Sequence, residues 1–312
     1  MAKATREAYG EALRELGGRN RDIVVLDADL SKSTKTNLFA KDYPERFFNV
    51  GIAEQNLMGT AAGLAAAGKI PFVSTFAMFA AGRAFEQVRN SICYPRLNVK
   101  IAATHAGLTV GEDGASHQAI EDISLMRSIP NMTVIVPADA AETRQAVAFA
   151  AEYKGPVYLR LGRMGVPDLL PPDYNFQHGK AVQLSEGTAL TIIAAGVMLE
   201  AALAAAEELA KAGLRARVLN MHTIKPIDSI AIKTAALETG AILTCEEHSI
   251  IGGLGSAVAE TLVESVPVPM ERIGVADTFG ESGTPKALLA KYRLTAADIV
   301  IAAKRVISRK YS

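Results

Sequence analysis

The sequence contains only two cysteines, Cys93 and Cys245, among its 312 residues. They lie far apart, in no spacing typical of a metal site, and each follows apolar residues. A disulfide bond is therefore disfavoured. The sequence instead predicts two buried thiols in a protein of a reducing compartment.

The sequence also lacks net charge, because 33 basic residues balance 33 acidic ones. This balance provides no electrostatic field that would hold a polyanion, which disfavours nucleic acid as a partner. It also removes the self-repulsion that would oppose association between chains. Charge is therefore compatible with an oligomer.

Long apolar runs are missing as well. No uncharged stretch reaches the roughly 18 apolar residues that suggest a membrane-spanning helix. The N-terminal segment includes Lys3, Arg6 and Glu7, where a signal peptide would have its apolar core. We therefore expect a cytoplasmic protein without a membrane partner.

Segments typical of buried strands alternate with segments typical of helices. Short β-branched runs predict strands at residues 22–26, 71–75, 99–103, 133–136 and 157–160. Helical patterns cover residues 54–67, 77–94 and 140–153. In the last of these, Asp139 is the predicted N-cap and Glu142 its capping-box partner. The alternation predicts an α/β fold with mostly parallel sheets covered by helices on both faces.

A proline-containing stretch divides the chain into two parts. Residues 166–185 lose periodicity and include three prolines, which is typical of a linker. The alternation then resumes, with strands at 189–196, 217–220 and 241–244 and helices at 199–212 and 296–306. We predict two α/β domains, residues 1–165 and 186–312, each a mostly parallel sheet flanked by helices.

A single carboxylate, Glu54, opens a helix that is otherwise small and apolar. Residues 57–67 carry no charge, which indicates a helix buried on every side. The helix dipole favours an acid in the first turn, so Glu54 taken alone is compatible with an ordinary N-terminal acid.

Aromatic residues and a glycine-rich loop follow this helix. Phe76 and Phe79 lie where a predicted strand passes into a helix, a place where aromatic side chains commonly belong to the core. Residues 105–117 combine two histidines with an acid pair and three glycines that permit a backbone packed close to a ligand. The donors and their spacing do not match a zinc site. Asp113 taken alone is also compatible with an aspartate that hydrogen-bonds the backbone of a turn.

Together these segments resemble the cofactor-activating half of transketolase, an enzyme that uses thiamine diphosphate. The resemblance rests on the runs FFNVGIAEQN at 47–56, STFAMF at 74–79, TH at 104–105 and GEDGASHQ at 111–118. It implies a transketolase pyrimidine-binding domain followed by a transketolase C-terminal domain. The implied activity is transfer of a two-carbon ketol unit from a ketose phosphate to an aldose phosphate, in the pentose phosphate pathway.

The resemblance implies a cofactor site at four residues. Glu54 forms a hydrogen bond to a ring nitrogen of the aminopyrimidine and thereby activates the cofactor. Phe76 and Phe79 stack on that ring, and Asp29 lies beside cofactor and substrate. At Gly82, many full-length transketolases carry a further aromatic residue.

The resemblance also implies a sugar site. His105, Asp113 and His117 hydrogen-bond the hydroxyl and carbonyl groups of the ketose, and a neutral histidine moves protons between those oxygens. Ser33 helps to bind the sugar phosphate. Arg160 or Arg163 is the second phosphate ligand, and the sequence leaves both open.

In the second domain, residues 244–249 and the glycine cluster at 252–256 lead into a helix. A helix N-terminus of this kind is able to bind an anion. The resemblance favours a structural or interface role instead.

The Gly-Asp-Gly segment that holds the diphosphate through Mg²⁺ or Ca²⁺ in this superfamily is missing from the sequence. The resemblance covers nearly the whole chain but only the second half of a single-chain transketolase. It therefore implies the C-terminal subunit of a split enzyme, whose N-terminal subunit supplies the metal and diphosphate site. Shared cofactor sites between facing subunits imply an α2β2 heterotetramer.

Three alternatives remain open. A 1-deoxyxylulose-5-phosphate synthase relative shares the GIAEQ run but usually carries Arg in place of His105. The β subunit of a 2-oxo-acid dehydrogenase has this size but would lack the set His105, Asp113 and His117. A scaffolding subunit that retained the fold is disfavoured by the full set of polar site residues.

Overall fold

The structure, a computed structural model, describes residues 2–310. Met1, at the start of the first predicted domain, and Tyr311 and Ser312, at the end of the second, lie outside the described residues. The described strands form a seven-stranded sheet, a five-stranded sheet and a two-stranded pair. The predicted α/β fold with two mostly parallel sheets is confirmed.

The elements of the first part of the chain end at residue 166. Its strands are β1 (Lys3–Ala4), β2 (Ile23–Asp27), β3 (Phe47–Asn49), β4 (Ile70–Phe76), β5 (Lys100–Thr104), β6 (Thr133–Ile135), β7 (Val157–Arg160) and β8 (Gly165–Val166). Its α-helices are α1 (Thr5–Arg19), α2 (Ser31–Thr34), α3 (Asn37–Asp42), α4 (Glu54–Ala66), α5 (Asp122–Ser128) and α6 (Ala140–Glu152). Short 3-10 segments cover Pro44–Arg46 and Leu108–Asp113.

The second part of the chain begins with a strand inside the predicted linker. Its strands are β9 (Val182–Ser185), β10 (Leu190–Ala194), β11 (Ala216–Asn220), β12 (Thr223–Lys225), β13 (Ile242–Ser249) and β14 (Met270–Val275). Its helices are α7 (Met198–Lys211), α8 (Ser229–Thr239), α9 (Leu254–Val263), α10 (Pro285–Lys291) and α11 (Ala296–Ser308). No helix within residues 2–310 has the length and apolar character needed to cross a membrane.

One sheet contains strands from the second part of the chain only, whereas the other contains strands from both parts. The five-stranded sheet has the order β14-β13-β10-β11-β9, and only β9 is antiparallel to its neighbour. The seven-stranded sheet has the order β12-β6-β7-β5-β4-β2-β3. Its edge strand β12 comes from the second part of the chain and pairs antiparallel with β6. The two parts therefore share a sheet, which the sequence did not predict.

The six remaining strands of the seven-stranded sheet are parallel in every pairing. Their carboxyl ends consequently lie along one edge. In open α/β sheets, ligands bind outside this edge. The residues that follow β2, β4 and β5 are therefore brought together, although they are far apart in sequence.

The prediction of an α-helix over residues 77–94 is wrong, because most of this segment is π-helical. Residues Phe79–Arg83 and Gln87–Cys93 form π-helical turns. The backbone N–H of Ala84 donates to the carbonyl of Phe79 at 3.3 Å, five residues back, and the N–H of Tyr94 donates to Arg89 at 3.0 Å in the same way. A π-turn holds an extra residue and is frequent at functional sites.

Helix α4 also differs from its prediction. Leu57, Met58 and Ala61 are buried, as the apolar sequence predicts. Gly59 and Gly63, in contrast, are exposed, and an added Cβ would meet no atom within 4 Å apart from adjacent residues and the backbone of the same helix. In the single chain, α4 is therefore buried on one side only.

The predicted linker is anchored on helix α6. Asp139 accepts a hydrogen bond from the N–H of Glu142 at 2.9 Å, which confirms it as the N-cap. The Glu142 carboxylate reaches the N–H of Ala138 at 2.7 Å, one residue earlier than a capping box requires. The second Asp139 oxygen accepts from the N–H groups of Leu169 and Leu170 at 2.9 and 3.1 Å.

Glu142 in turn joins three segments of the chain. Its carboxylate is fully buried and accepts hydrogen bonds from the hydroxyl of Tyr174 at 2.6 Å and from Asn220 Nδ2 at 2.8 Å. Burial raises the pKa of Glu142 to about 7. A buried carboxylate is tolerated only where it is hydrogen-bonded, so these partners hold linker and second domain against α6.

Both cysteines are free and buried, as the sequence predicts. Cys93 belongs to the core that includes α4 and the π-turns, whereas Cys245 belongs to the core of the second sheet. Burial raises the pKa of Cys93 to about 12 and raises that of Cys245 as well. Both thiols are consequently unreactive.

We expect Asp139→Ala to lower the free energy of unfolding by about 2 kcal/mol or more, because it removes an N-cap and two further hydrogen bonds. The control is Thr284→Ala, which removes one exposed N-cap bond, to the N–H of Ala287 at 3.4 Å. That loss should cost about 1 kcal/mol or less. Urea denaturation measures both, and equal costs would contradict the anchoring of the linker by Asp139.

Candidate functional site

The predicted site residues cluster at the carboxyl edge of the seven-stranded sheet. Asp29 follows β2, Phe76 ends β4, and His105 follows β5. Glu54 is the first residue of α4, which follows β3. The fold thus brings four separate sequence segments to one edge.

Glu54 is the buried acid at this edge. Its side chain is 2% exposed, although it is a carboxylate. One carboxylate oxygen accepts a hydrogen bond from Arg83 Nη1 at 2.8 Å. The guanidinium carbon of Arg83 also lies 4.6 Å from the centre of the Phe79 ring. Arg83 therefore connects the buried acid to the aromatic pair.

Arg83 was missed by the sequence analysis. It belongs to the π-turn Phe79–Arg83, and its side chain is 51% exposed. Arg83 and Glu54 are 29 residues apart in the sequence, so no local pattern indicates their contact. The pattern that could have indicated it is a basic residue within one turn of the predicted aromatic pair.

The aromatic residues form a continuous ring cluster with both histidines. The rings of Phe76 and Phe79 are nearly parallel, with centres 5.9 Å apart. Phe76 stacks on His105 at 3.8 Å, and Phe79 meets His117 edge-on at 5.4 Å. Phe85, the first aromatic residue after Gly82, is partly buried and packs against the apolar core. Gly82 itself provides no aromatic side chain. The guanidinium of Arg83, the next residue, lies over the Phe79 ring.

His105 is held as a neutral imidazole of defined tautomer. Its Nε2 lies 3.1 Å from Arg6 Nη1, and its Nδ1 lies 2.9 Å from Thr104 Oγ1. A guanidinium only donates, so Nε2 accepts and Nδ1 carries the hydrogen. Burial, followed by the positive charges of Arg6 and Arg163, lowers the pKa of His105 to about 3.

The loop after β2 is built around a buried carboxylate. Asp27 accepts hydrogen bonds from the Leu30 N–H at 2.6 Å and from the hydroxyl of Thr34 at 2.7 Å. Burial raises the pKa of Asp27. These bonds leave Asp29 exposed, with its N–H bonded to Asn49 Oδ1 at 3.1 Å.

Ser33 is tied to the same edge through its backbone. Its carbonyl accepts a hydrogen bond from Arg6 Nη1 at 2.9 Å. That guanidinium also contacts His105. Arg6, which the sequence analysis missed, therefore links the predicted phosphate ligand Ser33 to the predicted sugar ligand His105.

The loop of residues 105–117, called the histidine loop below, ends in polar residues near the surface. His117 is half-buried, and its Nδ1 lies 2.9 Å from Ser116 Oγ. Asp113 is exposed, with one carboxylate oxygen 3.6 Å from Arg163 Nη1. Arg163 also donates to the carbonyl of Val110 at 2.5 Å. Arg163 thus lies at the open side of the histidine loop.

Arg160, the alternative phosphate ligand, is placed differently. It is 6% exposed and pairs with the fully buried Asp122 at 2.9 Å. Its Nη2 donates to the backbone carbonyls of Ala119 at 3.2 Å and Glu247 at 2.9 Å. The structure therefore engages Arg160 in the interior and leaves Arg163 beside the histidine loop.

The glycine cluster of the second domain is occupied by an acid of the same chain. Glu246 accepts hydrogen bonds from the N–H groups of Leu254 at 2.7 Å and Gly255 at 2.8 Å, at the start of α9. An added Cβ at Gly253 would lie 2.0 Å from a carboxylate oxygen of Glu246. The glycines therefore admit this internal carboxylate, which agrees with the structural role favoured from the sequence.

The site offers a buried acid and an aromatic face. Within residues 2–310, no group of three or more His, Cys, Asp or Glu side chains is placed to hold a metal ion. The buried carboxylate of Glu54, connected through Arg83 to the Phe76 and Phe79 ring pair, suits a flat heterocycle that carries a hydrogen-bonding nitrogen.

Comparison with known proteins places these features in a family. Residues 1–168 match the model for the transketolase pyrimidine binding domain, and residues 179–299 match that for the transketolase C-terminal domain. A Methanocaldococcus jannaschii protein, provisionally named a transketolase C-terminal section, is 51% identical over 98% of this chain and 96% of its own length. A 6-deoxy-6-sulfo-D-fructose transketolase subunit of Clostridium sp. is 46% identical over 98% of this chain and 95% of its own.

A solved structure is similar over the same length. It is a split-gene transketolase described as an inactive beta4 tetramer, and it is 63% identical in sequence. It superposes with a TM-score of 0.93, covering 98% of this chain and 99% of that chain.

We expect the imidazole of His105 to remain neutral between about pH 5 and pH 8, because its folded pKa lies well below its ordinary value. Arg6→Met should raise the pKa of His105, since it removes a nearby positive charge. Arg6→Lys, which keeps that charge, is the matched control. Histidine NMR titration measures both variants, and an unchanged pKa in Arg6→Met would contradict the electrostatic role of Arg6.

Proposed function

We propose that this chain, which belongs to the transketolase family, is the C-terminal subunit of a two-chain enzyme that transfers ketol groups. The observation that carries the proposal is the buried carboxylate of Glu54 at the start of α4, which Arg83 connects to the Phe79 ring of the Phe76–Phe79 pair. Matches to both family models over nearly the whole chain support it.

In the proposed enzyme, Glu54, Phe76 and Phe79 hold the pyrimidine ring of thiamine diphosphate, with Asp29 nearby. The cofactor, when bound, supplies a nucleophilic carbon that accepts the two-carbon unit. The contribution of Glu54 is a buried carboxyl group that hydrogen-bonds a ring nitrogen of the cofactor. Its bond to Arg83 fixes the orientation of the carboxyl group.

The sugar lies, in this proposal, against the histidine loop. His105 and His117 bind its oxygens, and Asp113 accepts a hydrogen bond from a hydroxyl group. The Nε2 atom of His105 already accepts from Arg6, so His105 acts as a neutral group of fixed orientation. Catalytic proton transfer is then assigned to His117, and His105 contributes as a neutral group that orients the sugar.

Arg163, together with Ser33, is the proposed anion ligand of the sugar. Its side chain is 35% exposed and lies beside Asp113, whereas Arg160 is buried in an ion pair. The 46% identical relative is named for a sulfonated sugar. A guanidinium binds either kind of terminal anion, so the donor is a ketose with an anionic end.

The metal and the diphosphate belong, in this proposal, to a partner subunit. The chain carries no Gly-Asp-Gly segment, and a hard cation needs oxygen ligands of that kind. The partner therefore supplies the Mg²⁺ or Ca²⁺ site, and two copies of each chain form the active α2β2 assembly. The exposed face of α4, with Gly59 and Gly63, together with the 77% exposed Ile52, is suited to such contacts.

We expect the isolated chain to lack ketol transfer and to gain it when mixed with a partner that carries the diphosphate domain. The physical reason is that neither chain alone holds both ends of the cofactor. The measurement is transfer from xylulose 5-phosphate, and separately from a sulfonated ketose, to ribose 5-phosphate, with thiamine diphosphate and Mg²⁺. Sedimentation of the active mixture gives its stoichiometry.

Full activity of this chain alone would overturn the two-chain assignment. Full activity of a one-to-one pair would overturn the α2β2 assembly. The control is the partner alone under the same conditions.

We expect Glu54→Gln to reduce the turnover of the reconstituted enzyme at least about 100-fold, roughly 3 kcal/mol, because the amide does not replace the carboxyl proton. Steady-state kinetics measure the loss, and thermal unfolding shows that the fold is retained. Glu208→Gln, on an exposed surface of α7, is the control. Wild-type turnover in Glu54→Gln would make Glu54 an ordinary helix N-terminal acid.

A further inference from the structure

A carboxylate of the second domain reaches into the first domain beneath the histidine loop. Glu247, on β13, is 3% exposed. Its Oε1 accepts a hydrogen bond from the backbone N–H of Thr109 at 2.5 Å, across 138 residues of sequence. Its backbone carbonyl accepts from Arg160 Nη2 at 2.9 Å. Glu247 is therefore fixed at both its backbone and its side chain.

The histidine loop is shaped around this carboxylate. Gly107 has φ of 80°, a conformation that other residues rarely adopt. An added Cβ at Gly107 would lie 2.3 Å from the Cδ atom of Glu247, so no larger residue fits there without displacement of the acid. Gly107 is two residues from His105. The Glu247 side chain thus touches the backbone where the loop leaves β5.

The rest of the histidine loop also rests on the second domain. Gln118 Nε2 donates to the carbonyls of Leu108 and Gly111, both at 3.3 Å, and to that of Glu281 at 2.9 Å. An added Cβ at Gly114 would lie 2.6 Å from Ser282 Oγ. The second domain therefore contacts the loop at Gly107, Thr109 and Gly114, and it also contacts Gln118, the residue that follows the loop.

Burial of the Glu247 carboxylate is costly, since burial raises its pKa to about 7 against the opposing effect of Arg160. A buried acid needs hydrogen-bond donors to offset the cost of its burial. Here the bonded group is the backbone of Thr109, between His105 and Asp113.

We infer that Glu247 is a positioning residue for the sugar site, through which the second domain sets the affinity for the ketose donor. This inference rests on the proposed function, because it takes the histidine loop to bind the sugar. Glu247 itself lies beneath the loop and acts on the donor only through Thr109 and its neighbours.

The test compares Glu247→Ala with Glu247→Gln in the reconstituted enzyme. The alanine variant removes the acceptor for the Thr109 N–H, so we expect the KM for the ketose donor to rise about tenfold, with less than about a threefold change in kcat. The glutamine variant keeps an acceptor oxygen in nearly the same shape, so its KM should remain within about threefold of wild type. Cofactor affinity should be unchanged in both.

A second readout does not depend on activity. Amide hydrogen exchange of the isolated chain should become at least about tenfold faster over residues 107–113 in Glu247→Ala and remain near wild type in Glu247→Gln. The control is Glu246→Ala, the neighbouring buried acid, which should speed exchange at residues 253–256 and leave residues 107–113 unchanged. If Glu247→Ala does not fold, Glu247→Asp, which shortens the side chain by one methylene, is measured in the same way.

Wild-type exchange and donor KM in Glu247→Ala, even with a lowered midpoint of thermal unfolding, would overturn the inference. Faster exchange of residues 107–113 without a change in donor KM in an active enzyme would also overturn it. Failure of the wild-type mixture to transfer ketol groups, with faster loop exchange in Glu247→Ala, would instead contradict the proposed function and leave the contact with the loop intact.

Discussion

The buried ion pair between Arg160 and Asp122 is the interaction on which the arrangement of the site depends. Arg160 Nε lies 2.9 and 3.1 Å from the two Asp122 oxygens, and the hydroxyl of Tyr158 donates to the same carboxylate at 2.8 Å. Arg160 then donates to the carbonyl of Glu247 in the second domain. Buried charges of this kind are stable only as a fully bonded set. The end of β7, the start of α5 and strand β13 are therefore held in one relative position.

That fixed frame supports a backbone under strain at the sheet edge. Asp29 and His105 adopt positive φ angles of 62° and 56°, although neither is glycine. Conformations of this kind cost about 1–3 kcal/mol each and persist where surrounding contacts determine them. Asn49 holds the backbone of Asp29, and Arg6 with Thr104 holds the imidazole of His105. The polar groups of the site are therefore preorganised by hydrogen bonds to neighbouring residues.

The second domain contributes to this edge in three ways. It adds β12 to the seven-stranded sheet, places Glu247 under the histidine loop, and presents the Glu281 carbonyl to Gln118. The glycine cluster near α9, which is compatible with an anion site on sequence alone, is filled by Glu246. The second domain thus acts on the site as a support, and the open side of the edge is left to a cofactor, a sugar and a partner chain in the function that we propose.

The sequence by itself determined those features that depend on neighbouring residues. Periodicity predicted strands close to β2, β4, β5 and β7, and local chemistry predicted the Asp139 cap, because both are set over a few residues. The runs around Glu54 and Phe76 carried the family resemblance, and that resemblance implied that these residues share one site. The same local view failed for residues 77–94, since α- and π-turns share nearly the same apolar pattern.

Only the tertiary structure decided which polar groups meet. The contacts of Arg83 with Glu54, Arg6 with His105 and Thr109 with Glu247 span 29, 99 and 138 residues. The different environments of Arg160 and Arg163 are of the same kind, because burial of Arg160 against Asp122 depends on where α5 packs. Pairings at this range follow from strand order and domain docking, and no spacing along the chain records them.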